Sequence, residues 1–231
     1  MKKFFAMLGA MFAFSLSVFA GNVSTRPISR EDGLTSTVKP QAKIINGHKF
    51  IDLGLPSGLL WGETNVGASS ATDYGDYFAW GETKPKTTYR RSTYKWGSNP
   101  SKYNYLDNKT TLEAADDAAT VNWGTPCRMP DSSEFEELYN KCYWSWKSNN
   151  GTSGYLVTGS NGNTIFLPAS GGRSYDGLYY HGLYGYYWSR TLFSSDTDEA
   201  RCLDFDSGNV NPTRSYGCRF LGFSVRPVAG K

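Results

Sequence analysis

An α+β fold, with two short helices ahead of an antiparallel sheet, is predicted by three observations along these 231 residues. Capping boxes open two amphipathic segments, at Thr110/Glu113 and at Asp131/Glu134. Beyond residue 146 the apolar residues come in short runs separated by Gly, Ser and Asn turns, which is the pattern of strands. Aromatic residues make up 16% and charged residues only 19%, enough ring surface to build a core and too little charge for a disordered chain.

The first twenty residues carry Lys2 and Lys3, an apolar run from Phe4 to Phe19 and the small-residue ending Val18-Phe19-Ala20. This is the pattern of a cleaved secretory signal, with a mature start expected at Gly21. No cysteine follows the cut, which disfavours a lipid anchor, and no membrane insertion is expected after cleavage. Residues 21–43 are rich in Ser, Thr, Pro and Arg and read as a flexible linker, so the domain is expected over residues 44–231. The formal net charge is +3, two charges of which belong to the leader, so no basic footprint for nucleic acid is present.

Within the domain, residues 44–61 alternate apolar pieces with Asn-Gly and Pro-Ser-Gly turns, as a hairpin does. Residues 67–109 lack a helical period and read as a long ordered loop region. The first helix is expected to start at Thr110 and to present Leu112, Ala115, Ala118 and Ala119. The second starts at Asp131 and presents Phe135, Leu138, Tyr139 and Cys142. Strands are expected over residues 155–158, 164–167, 186–190, 202–205 and 223–228. In the fourth, Leu203 and Phe205 fall on one face and Cys202, Asp204 and Asp206 on the other, so that one face packs and the other is open to variation. A turn over residues 208–212 is then expected to present residues 213–218 as a loop.

Catalytic constellations are scarce. The histidines are His48 and His181, neither beside a metal or base motif, and no GxSxG, HExxH, phosphate-binding loop or CxxC occurs. The chain is therefore expected not to be an enzyme and to carry no cofactor or metal. The pairs Asp73/Asp76 and Asp116/Asp117 could ligate calcium but read better as solvated or capping carboxylates. Four cysteines in an exported chain permit two disulfides. If Cys142 ends a helix from Asp131 it lies about 16 Å along the axis, while the four residues back to Cys127 reach at most roughly 14 Å and a bridge needs Cα atoms within about 7 Å, so Cys127 with Cys142 is barely feasible and Cys202 with Cys218 is the better candidate for any bridge. The cluster Tyr175, Tyr179, Tyr180, Tyr184, Tyr186, Tyr187 and Trp188 reads as rings split between core and recognition surface.

Six motifs occur in one order: IDLGLPSGLLW (51–61), DYGDYFAWGET (73–83), CRMPDSSEFEEL (127–138), VTGSNGNTIFLPASGGR (157–173), YYWSR (186–190) and GFSVRPV (222–228). Together they resemble the Fibrobacter succinogenes major paralogous domain family. That resemblance implies a C-type lectin-like fold, in the variant related to formylglycine-generating enzyme domains, whose helix entry RLPTEAEWE is similar to residues 128–136. Where Cys127 stands, the family commonly has tryptophan. The C-terminal run LDFDSGNVNPTRSYGCRFLGFSVRPV further resembles the variable region of proteins targeted by diversity-generating retroelements, in which adenine-directed mutagenesis varies AAC-type codons on a fixed scaffold. Mutating the adenines of AAC cannot give Lys, Glu, Met, Gln or Trp, and none of these occurs over residues 201–221.

The resemblance implies a secreted or surface-displayed protein that binds an unknown protein or glycan ligand on a cell or phage surface. Its binding residues are expected to be Tyr186, Arg190, Leu192, Cys202, Asp204, Asp206, Thr213, Arg214, Ser215, Tyr216, Cys218, Phe220 and Leu221. Arg190 and Arg214 would serve as charged donors, and Tyr216 and Phe220 as anchors. Two rivals share the fold: an invariant lectin or adhesin module that binds a glycan or cell-wall polymer, and an oxidase with reactive cysteines, for which Cys202 and Cys218 are the thiols in the corresponding C-terminal half.

Overall fold

The computed structural model describes residues 42–230, so the expected leader and most of the linker lie outside the described residues. The chain is α+β and mostly β, with twelve strands in antiparallel sheets and two helices among the described residues. Strands β1 (Lys43–Ile45) and β2 (His48–Asp52) form the expected hairpin. Its turn works because Asn46 and Gly47 both adopt positive φ, 50° and 82°, which an Asn-Gly pair tolerates and most residues do not. β3 (Leu60–Gly62) continues this sheet and pairs at its far side with β12 (Val228–Ala229), so both ends of the domain share one sheet.

Residues 67–109 are the expected ordered loop region, tied down by single bridges such as Phe78 to Phe223 and Tyr89 to Tyr175. The first helix differs from expectation. Thr110 does not cap it. The segment around Thr111 instead runs beside Thr191, with Leu112 N–H donating to the Arg190 carbonyl and Leu192 N–H to the Thr110 carbonyl. Glu113 is occupied by Lys102 and Lys109, which removes it from a capping box. Helix α1 (Ala118–Trp123) begins only at Asp117, whose side chain accepts from Thr120 N–H. Helix α2 (Ser132–Lys141) starts at Asp131 with the reciprocal Asp131/Glu134 box and buries Phe135 and Leu138. Tyr139 of the expected apolar face is 41% exposed.

β4 (Tyr143–Asn149), β5 (Thr152–Thr158) and β6 (Thr164–Pro168) make a three-stranded meander. β7 (Gly172–Ser174) and β8 (Gly177–Tyr179) form a short hairpin. β9 (Gly185–Leu192), β10 (Glu199–Phe205) and β11 (Val210–Cys218) build the last sheet, with β10 in the middle. The expected loop over residues 213–218 is therefore strand. Its turn sits earlier, where the Asp206 side chain accepts from the Gly208 and Asn209 N–H groups. Pro212 is tolerated because β11 is an edge strand, and register shifts beside it absorb the irregularity.

Residues 223–228 were expected as one strand but thread through the core with only isolated bridges and the short β12. The reason is Arg226. It is fully buried and donates to Asn65 Oδ1 and to the carbonyls of Gly62, Glu63 and Phe166, so its guanidinium is satisfied by two segments, residues 62–65 and β6.

Alternation divides the core as expected. Tyr187, Leu203 and Phe205 face a cluster with Trp61, Phe135 and Leu167, while Tyr186, Trp188 and Cys202 face a second cluster with Trp80, Val225 and Phe223. The second face is therefore largely packed and not freely open to variation.

Candidate ligand-binding site

The second face of the β9–β10–β11 sheet is covered incompletely. Beside Tyr186 and Cys202, a cavity of about 220 Å³ is lined by Tyr179, Tyr180, Tyr186, Cys202, Arg214, Leu221 and Phe223. Four of these, Tyr186, Cys202, Arg214 and Leu221, are residues that the sequence marks for binding. β9 and β10 supply the floor, β11 supplies Arg214, and the end of the β7–β8 hairpin supplies Tyr179 and, just beyond it, Tyr180.

The rings form a continuous track. Tyr180 lies 5.2 Å from Tyr184 between centroids, Tyr184 stacks on Tyr186 at 6.0 Å, and Tyr186 stacks on Phe223 at 5.0 Å. It runs from a ring that is 56% exposed to one in the core, so aromatic surface extends from the lip to the floor. Tyr175 and Leu183 are also exposed.

Arg214 donates from Nη1 to Asp204, which stands behind the cavity and is buried. Burial pushes the Asp204 carboxyl above its ordinary value, and the Arg214 guanidinium opposes that shift. Burial likewise raises the Cys202 thiol, with Asp204 adding to the effect, and pushes the Tyr186 hydroxyl up to about 12. At neutral pH the site thus offers protonated phenols, a protonated thiol and a guanidinium backed by its own counter-group. Such a set can stack and donate hydrogen bonds, but it holds no activated nucleophile.

The remaining sequence-marked residues are placed elsewhere. Arg190 grips Asp131 with Nε and Nη2 at 2.9 and 3.0 Å and so fixes β9 to the start of α2. Leu192 is packed in the core at 4% exposure, and Asp206 forms the β10–β11 turn. Thr213 is half-buried on β11, and its N–H donates to Asn211 Oδ1. Phe220 packs on Tyr77, Tyr89 and Tyr94, with Arg91 over its ring, and so belongs partly to a third cluster. The side chains of Ser215 and Tyr216 lie outside the described residues.

Cys218 stands opposite Glu199 while Cys202 stands opposite Arg214. Three residues of strand, about 10 Å, separate these positions, more than the roughly 7 Å a bridge allows. All four cysteines are free, and the candidate bridge between Cys202 and Cys218 is not formed.

Tyr179, Tyr180 and Phe223 were not marked as binding residues. The dense Tyr cluster over residues 175–188 was the available signal for the first two. Phe223 enters through a bridge to Phe78 that no local pattern encodes.

Three of the four paired carboxylates, Asp73, Asp116 and Asp117, are committed to the fold. Asp116 accepts from Lys95 and Lys102 at 2.5 Å each and from Tyr103 at 2.8 Å. Asp117 caps α1 and also accepts from Met129 N–H. Asp73 accepts from Ser69 and Ser70. Among the described residues no helix is long and apolar enough to cross a membrane. Comparison with protein-family models, with curated proteins and with solved structures finds no match to this chain.

Proposed function

We propose that this chain is a secreted or surface-displayed, non-catalytic binding protein of C-type lectin-like fold, in the variant related to formylglycine-generating enzyme domains. Its ligand, a protein or glycan on a cell or phage surface, enters the cavity bounded by Tyr180, Tyr186, Arg214 and Leu221. The observation that carries this reading is that cavity: residues distant in sequence converge on an aromatic pocket with one guanidinium, the composition of a recognition site. The raised thiols of Cys202 and Cys218 speak against the oxidase reading, which needs a reactive thiolate.

Diversification by a retroelement is part of the proposal. It is supported by the absence of excluded residue types over residues 201–221 and by the position of β11 at the sheet edge, where Thr213, Arg214 and Cys218 are only partly buried. An edge strand changes side chains at less cost to the core than a central one.

The test is to sequence the 3′ third of the gene and its flanks in many sibling isolates. Substitutions concentrated in codons 202–221, beside a near-repeat that differs only at adenines and a reverse transcriptase gene, support a diversified binder. A constant segment without a repeat removes diversification and leaves the invariant lectin or adhesin, to be pursued with glycan and cell-wall polymers.

A further inference from the structure

A second cavity, of about 370 Å³, shares no lining residue with the first and is walled by His48, Gly67, Ser69, Asp76, Asn122 and Trp123. That volume falls in the range of about 300–1,000 Å³ typical of small-ligand sites. The His48 imidazole lies flat on the Trp123 indole, 3.8 Å between centroids with only 4° between planes, while the residue stays partly exposed. The pair thus offers a planar platform braced from beneath by Phe50, which meets Trp123 edge-on at 5.8 Å.

Three polar groups around this cavity have no protein partner among the described residues. Asp76 is half-buried, yet its carboxylate takes part in no hydrogen bond or ion pair there. It lies against Gly67, where a Cβ would fall 2.4 Å from Oδ2 on a backbone at φ +78°, so glycine is needed to leave the carboxylate its place. Neither His48 ring nitrogen is hydrogen-bonded, nor is the Trp123 indole N–H. By contrast, Asn122 Nδ2 is spent on Thr83 and Ala118 carbonyls, and the Ser69 hydroxyl on Asp73. Burial lowers the His48 imidazole from its ordinary value, which keeps it neutral and leaves one donor and one acceptor on the ring.

We infer that this cavity is a second binding site, specific for a neutral carbohydrate. A sugar presents hydroxyls that both donate and accept, and an apolar ring face. The unspent groups match that demand: Asp76 accepts a hydrogen bond from a hydroxyl, His48 and the Trp123 N–H donate to hydroxyl oxygens, and the imidazole–indole stack supports the ring face. A bare cation would use Asp76 and one imidazole nitrogen but not the donors, and an anion would meet Asp76.

The test is saturation-transfer NMR on the full chain with a panel of neutral mono- and disaccharides, beside a titration with zinc alone. At least one sugar is expected to show transfer at the weak affinity of a shallow site, on the order of 1 mM. Asp76→Asn and His48→Phe, which preserve shape and stacking, should each weaken it about tenfold or more. Arg214→Ala should leave it unchanged, which separates this site from the proposed Tyr186 pocket. Absence of transfer from every sugar, transfer insensitive to both variants, or zinc binding lost in both variants without any sugar signal would each overturn the inference.

Discussion

Arg214 on the edge strand β11 holds Asp204 on the central strand β10, so the guanidinium of the candidate site is oriented by a carboxylate that solvent scarcely reaches. Burial raises the Asp204 carboxyl and the ion pair lowers it, with burial the larger effect. The folded protein therefore takes up this proton more readily than the unfolded chain.

The sign of the pH dependence follows. A carboxyl raised on folding adds stability at acid pH and loses it as pH rises from the ordinary carboxylate value through the higher folded one. The melting temperature of the wild type minus that of Asp204→Asn should be greatest at acid pH and fall across that window. A difference that rises with pH would mean that the Arg214 pair outweighs burial.

Asp116 should behave oppositely. Burial opposes its ionisation, but Lys102, Lys95 and Tyr103 hold its carboxyl below the ordinary value. Its contribution is present above the unfolded value and lost as pH falls through the folded one. Asp116→Asn should cost about 1–3 kcal/mol at neutral pH and flatten part of the acid unfolding limb, as read by urea denaturation across pH.

Arg219 is 1% exposed and sits among the rings of Trp80, Tyr94 and Trp96 at 4.8 to 5.5 Å. Its guanidinium also donates to Tyr94 Oη and to the carbonyls of Lys102, Tyr103 and Thr197. Arg219→Ala should destabilise by about 2–5 kcal/mol in equilibrium urea unfolding. Arg219→Lys should recover little, because an ammonium lacks the planar fork that reaches these acceptors.

Thiol reactivity should divide the cysteines. Cys127 and Cys202 are 1% exposed and raised by burial, whereas Cys142 and Cys218 are half-buried. Mass-resolved maleimide labelling of the native chain should modify Cys142 and Cys218 first and reach the other two only on unfolding. Early labelling of Cys202 would place a reactive thiol in the pocket and revive the oxidase reading.

What the sequence made legible was local. The Asp131/Glu134 box and the Asn46-Gly47 turn are complete within a few residues, and both elements form where those signals stand. The Thr110/Glu113 box is just as good on paper. Yet Lys102 and Lys109 claim Glu113 and β9 claims the backbone around Thr111, so distant partners outweigh it. β11 was hidden for a related reason: Pro212 suggests a break, and only the open edge of β10 makes a strand there worthwhile. The same limit applied to the pocket. Cys202 was readable from the alternation along β10, and Tyr186, Arg214 and Leu221 from the resemblance, while Leu192, marked on the same ground as these three, went to the core.

Arg226 gathers carbonyls from residues 62, 63 and 166 and follows the β10–β11 hairpin in the chain. A nascent chain therefore stays unfinished until translation has passed through the whole β10–β11 hairpin, and a frameshift within that hairpin deletes the residue that closes the structure. Substitutions in β11 leave Arg226 in place to complete the scaffold, whereas an insertion, deletion or stop there leaves a chain for proteolysis. The position of Arg226 makes the fold itself a proofreader of the segment that precedes it.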